Sequence, residues 1–141
     1  MPKDEQSSDL NLDLIQMVQN ARMLHDATAR PSDLAAVYWI EAKRREGDYP
    51  APTAQAGEWR IPLTAASVDA VWERVKALTV AGELGYKSKV STRPAAGQAD
   101  PAERLLCVRT YDARDSKDVE RVGEALRKIG LIGLDYVVDK F

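Results

Sequence analysis

EWRIPLTAASVDAVWERVKALTVAGELGYKSKVST, residues 58–92, changes its hydrophobic period partway, and that change decides the fold. Glu58 to Leu63 alternates between apolar and polar residues, which predicts a strand. Pro62 has no N–H for a ladder bond, so an edge or irregular strand is expected. From Val68 the spacing becomes helical: Val68, Val71, Trp72, Val75 and Leu78 follow the i, i+3, i+4, i+7 pattern of an amphipathic helix. Trp72 lies at the centre of that stripe and is expected in the core. Gly82 or Gly85 can end the helix, and Tyr86 to Thr92 reads as the returning strand.

Downstream the pattern repeats. Arg104 to Tyr111 is an apolar strand, Asp112 to Asp115 a polar turn with Asp115 as helix cap, and Val119, Val122, Leu126 and Ile129 a second helical stripe. Gly130 and Gly133 close it, and Leu134, Tyr136 and Val138 alternate as a last strand. Upstream, residues 1–9 are polar and charged and read as a disordered tail. Residues 10–30 carry Leu14, Met17, Val18, Ala21 and Leu24 at helical spacing, an N-terminal amphipathic helix ended by Pro31-Ser32-Asp33. Ala36 to Lys43 is β-branched and aromatic enough for a strand. Gly47 to Gly57, with Pro50 and Pro52, and Pro94 to Pro101 are loops. Residues 36–141 therefore form a single α+β domain: an antiparallel, curved sheet with helices packed on one face, built from two strand–helix–strand units. Each helix has one apolar stripe, so both belong on the same side of the sheet.

A chain of 141 residues suits one domain. Lys and Arg number 20 against 22 Asp and Glu, so a net charge of −2 gives no global attraction to nucleic acid or anionic lipid, and any anion site must be local. The lone Cys107 excludes an internal disulfide or a cysteine-based zinc site. There is no long apolar span and no secretory leader, so no membrane partner and a cytoplasmic location are expected. No metal and no cofactor is implied, because no Gly-rich phosphate loop, HExxH, serine elbow or cysteine pair is present.

The pleat sorts the strand residues into two faces. Tyr38, Ile40, Ala42, Trp59, Ile61, Leu63, Leu106 and Val108 belong to the core. Their neighbours point the other way: Trp39, Glu41 and Lys43; Arg60; Lys87, Lys89, Ser91 and Arg93; Cys107, Arg109 and Tyr111. Cations concentrated on one surface of an acidic chain are arranged to bind an anion. Lys and Arg that merely pair with acids such as Glu41 on a solvated face account for the same pattern. Arg60, Lys87, Lys89, Arg93 and Arg109, with the aromatics Trp39 and Tyr111, are the candidate ligand-binding set. Cys107 reads as a small buried hydrophobe, Trp39 as a residue packed beneath the first helix, and the only histidine, His25, as exposed or locally bonded. Asp112, Asp115 and Asp118 suit a turn and helix start.

Tyr38-Trp39-Ile40-Glu41-Ala42-Lys43-Arg44, Gly57-Glu58-Trp59, Val71-Trp72, Leu84 to Thr92 and Val108-Arg109-Thr110-Tyr111-Asp112 resemble the basophilic-leukaemia-expressed-protein family, from about Val37 to Val138. The resemblance implies a fold similar to the messenger-RNA cap-binding initiation factor 4E. Bacterial relatives carry the label of a phosphothreonine lyase domain, which implies β-elimination: a lysine takes the Cα proton, a histidine protonates the leaving phosphate, and cations hold it. Lys89 or Lys87 would be the base, with Arg60, Arg93 and Arg109 as clamps. Pro62 stands where the lyases have their histidine, and His25 replaces it only if the first helix crosses the open face. Cap recognition needs two aromatic planes and an acid, for which Trp39, Tyr111 and Glu41 are the available set. The leading expectation is a phosphate- or nucleotide/RNA-binding module whose partner is a phosphorylated small molecule, phosphopeptide or RNA. A phosphothreonine lyase-like enzyme and a protein-interaction domain are the alternatives.

Overall fold

A computed structural model describes residues 39–95, 98 and 100–139, together with positions 14, 15, 17, 18, 27, 30 and 31. The tail expected at 1–9, the core position expected for Tyr38 and the strand start expected at Ala36 lie outside the described residues. So do His25, Ala21 and Leu24. The strands are β1 (Trp39–Lys43), β2 (Gly57–Thr64), β3 (Lys87–Ser91), β4 (Glu103–Thr110) and β5 (Asp135–Val138). The helices are α1 (Val68–Val80) and α2 (Ser116–Lys128).

All five strands join one antiparallel sheet in the order β1-β3-β4-β2-β5. The two strand–helix–strand units are therefore interleaved. β4 lies between β2 and β3, the strands joined by α1, and β2 lies between β4 and β5, the strands joined by α2. Neither unit can complete its sheet without the other.

Both helices cover the same face. Ile40, Trp59, Ile61, Val90, Leu106 and Val108 from the strands meet Val68, Trp72 and Val75 of α1 and Val119, Val122 and Leu126 of α2 in one buried cluster. Trp72 is fully buried. Two polar groups in this layer satisfy each other: Thr79 Oγ1 lies 2.7 Å from Ser88 Oγ and also donates to Val75 O. Trp59 Nε1 donates to Val119 O at 2.9 Å, tying β2 to the first turns of α2.

Local chemistry sets the helix ends. Gly82 has φ +80°, its N–H donates to Thr79 O, and Glu83 N–H donates to Leu78 O, the paired bonds of a Schellman stop. Gly130 ends α2 in the same way, with Gly130 N–H to Arg127 O and Leu131 N–H to Leu126 O. At Gly85 the requirement is space, because a Cβ there would fall 1.6 Å from Arg109 O. Asp115 caps α2 by accepting from Asp118 N–H, while Arg127 and Lys128 complement the opposite end of the helix dipole. Asp115→Ala should lower stability by about 1 kcal/mol, read as a lower urea midpoint with an unchanged slope.

The edge expected at Pro62 is corrected. β2 is an inner strand, flanked by β4 along its length and by β5 at Gly57–Arg60. β5 stops there, so Pro62 occupies the part of β2 with one neighbour, where a missing N–H is tolerated. Tyr111 is also corrected: β4 ends at Thr110, and Tyr111 falls in the bend that follows.

Candidate functional site

The face opposite the helices can be read row by row from the register. One row runs Lys43, Lys87, Arg109, Glu58, Val137, and the next runs Glu41, Lys89, Cys107, Arg60, Asp135. Arg60, Lys87, Lys89 and Arg109 thus share one surface. Beyond the second row, Trp39 is level with Ser91, whose Oγ accepts from Leu105 N–H at 2.8 Å.

An acid unassigned by sequence reasoning organises the first row. Glu58 is buried on the open side, with Arg60 Nε at 2.8 Å on one oxygen and Arg109 Nη1 at 2.6 Å on the other. Arg109 also pairs with Asp139 and donates to the Tyr86 hydroxyl at 2.5 Å. Burial alone would raise the Glu58 pKa. Hydrogen bonds from Arg60 and Cys107, the charge of Lys89 and the bond from Arg109 together outweigh it and hold the carboxyl below its ordinary value. The signal available in the sequence was parity, since Glu58 and Arg60 are two apart on one strand and must share a face.

Lys87 of the first row reaches Glu41 of the second at 3.3 Å, on the neighbouring strand. The Lys89 ammonium sits 4.6 Å from the centre of the Trp39 ring, a cation–π contact. Among the described residues no carboxylate lies in ion-pair contact with Lys89. Cys107, between Lys89 and Arg60, is buried. Its thiol is pushed up to about 12, first by burial and then by the charge and hydrogen bond of Glu58. It is therefore a protonated thiol at neutral pH and no nucleophile.

Two members of the expected set stand apart. Arg93 lies in an exposed bend past the end of β3. Tyr111 turns to the start of α2, where its hydroxyl donates to Asp115 and its ring meets Tyr49 edge-on at 5.4 Å. Tyr111 is also six residues along the chain from Leu105, which is level with Trp39, a separation of roughly 20 Å at strand rise. Trp39 and Tyr111 cannot sandwich one base. Tyr49 in turn donates to Asp118 at 2.5 Å, so the Gly47–Gly57 loop is fastened to α2 rather than to the basic face.

Pro62 lies on the open side, one pleat repeat from Arg60, and offers no titratable group there. Two residues after His25, Ala27 O accepts from Lys76 Nζ at 2.7 Å, and Arg30 pairs with Asp69 at 3.2 Å, both on α1 in the helical layer. Among the described residues no His, Cys, Asp and Glu cluster could hold a metal, and no helix is long and apolar enough to cross a membrane.

Residues 39–139, as far as they are described, define an α+β fold with a five-stranded sheet, helices α1 and α2 on one face and an ion-laced second face. A comparison with curated proteins returns no match. The family model described as basophilic leukemia-expressed protein Bles03 matches residues 51–136, and the chain belongs to that family. The matched span takes in β2 to β4, both helices and the first two residues of β5, so it includes Glu58, Arg60, Lys87, Lys89 and Arg109.

Proposed function

We propose that this chain is a binding domain for a phosphorylated ligand, with the phosphate seated over Cys107 between Lys89 and Arg60. The observation that carries this reading is the register Lys89, Cys107, Arg60 across three adjacent strands. Two long cationic side chains flank a small residue, with Cα atoms of the pair about 10 Å apart at ordinary strand spacing. That span lets an ammonium and a guanidinium converge on one tetrahedral anion. Lys87 adds charge from the neighbouring row. Glu58 and Glu41 keep Arg60 and Lys87 ordered without the face losing its excess of cations at Lys89.

Arg109 plays a different part here. Its donors go to Glu58, Asp139 and Tyr86, so it holds the sheet face in shape beneath the ligand. A nucleotide or RNA base would rest against the single plate of Trp39, in contrast to the two-plate recognition expected of the initiation factor 4E likeness. Elimination from phosphothreonine needs an acid opposite the base. Pro62 supplies none, which favours binding over turnover.

Lys89→Ala should weaken a phosphothreonine peptide or a nucleoside monophosphate by about 1.5–3 kcal/mol, read by calorimetry, with little change in melting temperature. Lys89→Arg should retain most of the affinity, because a guanidinium still clamps phosphate. Phosphate release from the peptide by the native chain, abolished in Lys89→Arg, would replace this reading with the lyase.

A further inference from the structure

Arg60 and Lys89, the cations on either side of Cys107, hold their donors differently. Arg60 gives Nε to Glu58 at 2.8 Å with its side chain 46% exposed, and among the described residues its two terminal nitrogens make no hydrogen bond. Lys89 turns its ammonium along the sheet to the Trp39 ring, 4.6 Å from the centroid. Trp39 is level with Ser91, one pleat repeat from Lys89 on the neighbouring strand, so the contact is diagonal. The ammonium thus lies on a ring surface against which a planar group would stack. Glu41, directly opposite Lys89, is occupied by Lys87 at 3.3 Å.

One ammonium cannot cover Trp39 and also meet a phosphate over Cys107. A cation–π contact at a partly exposed site is weaker than charge-assisted hydrogen bonds to phosphate, so an anion within reach takes the ammonium and uncovers the ring. The lysine stem is flexible enough for this exchange, while Glu58 keeps the Arg60 fork in place. The spacing then selects the ligand. Cys107 and Trp39 are two strands and one pleat repeat apart, a diagonal of roughly 12 Å between Cα atoms at ordinary sheet spacing. Phosphate, ribose and base laid end to end cover that span, whereas the ring of a phosphotyrosine, bonded directly to the phosphate oxygen, stays too near.

Taking the phosphate seat over Cys107 as given, we infer that Lys89 gates Trp39, so that the site takes nucleoside monophosphates and accepts the base only once the phosphate has drawn the ammonium away. Nuclear magnetic resonance of the full chain separates the steps. Inorganic phosphate should move the amides of Lys89, Cys107 and Arg60 and, with them, the Trp39 indole N–H, and adenosine alone should leave that indole nearly still. Adenosine 5′-monophosphate should bind about tenfold more tightly than phosphate, and Trp39→Leu should erase that margin without changing phosphate binding. Lys89→Ala should weaken the monophosphate yet bind adenosine about threefold more tightly than the native chain, because the ring is then uncovered. A lysine that served only as a phosphate clamp gives no such gain. Amide shifts at the seat beside a still indole, or adenosine binding that does not rise in Lys89→Ala, would overturn the gate and leave the phosphate seat standing. No shift at the seat with either phosphate or the monophosphate would remove both.

Discussion

Trp72→Ala should cost about 3–5 kcal/mol, enough to remove most of the stability of a domain of this size. The side chain is fully buried in the cluster that holds Ile40, Val90, Leu106 and Val75, so its removal leaves a large void in the core. Its indole nitrogen has no hydrogen-bond partner among the described residues. Trp72→Phe should therefore cost much less, because it deletes a buried donor that gains nothing from its place while keeping most of the ring volume. Urea unfolding of both variants checks the pair. An alanine variant as stable as the native chain would mean that α1 packs through another face.

Glu58→Leu should cost about 1–3 kcal/mol, because it removes the buried carboxylate that Arg109 and Arg60 share, while Asp139 and the Tyr86 hydroxyl still partner Arg109. Glu58→Gln retains the shape but not the charge and should fall in between. The pH dependence has a defined sign. The folded-state pKa of Glu58 lies below its unfolded value, so its stabilisation is fully present above the ordinary carboxylate range and is lost as pH falls through the depressed folded value. Acid unfolding of the native chain should therefore be steeper than that of Glu58→Gln, followed by tryptophan fluorescence between neutral pH and pH 3.

The periodicity of residues 58–92 and of 104–138 was enough to locate both helices, their stripes and their glycine stops, because these depend on contacts within a few residues. The sheet order was not legible. Interleaving β4 between β2 and β3 depends on pairings between distant segments, and alternation within a strand says nothing about which strand lies beside it.

The open face shows the same division. Parity alone placed Arg60, Lys87, Lys89 and Arg109 on one side. It could not reveal that Glu58 is opposite Arg109 or that Asp139, past the end of β5, closes on the same guanidinium. Tyr111 was misplaced because parity holds only while the chain stays extended. One residue beyond Thr110 the backbone bends, and the side chain goes to Asp115. The aspartate cap, by contrast, was readable, since its partner Asp118 is three residues away.

The most direct test of the account is where a phosphate ester lands on the sheet. Amide chemical shifts of the labelled full chain, followed during titration with a nucleoside monophosphate, should move at Lys89, Cys107 and Arg60 and stay still along α1 and α2. The shifts should shrink as salt is raised, as expected for an anion held by a few exposed cations. Shifts confined to the helical side, or a spectrum unchanged at saturating ligand, would contradict it.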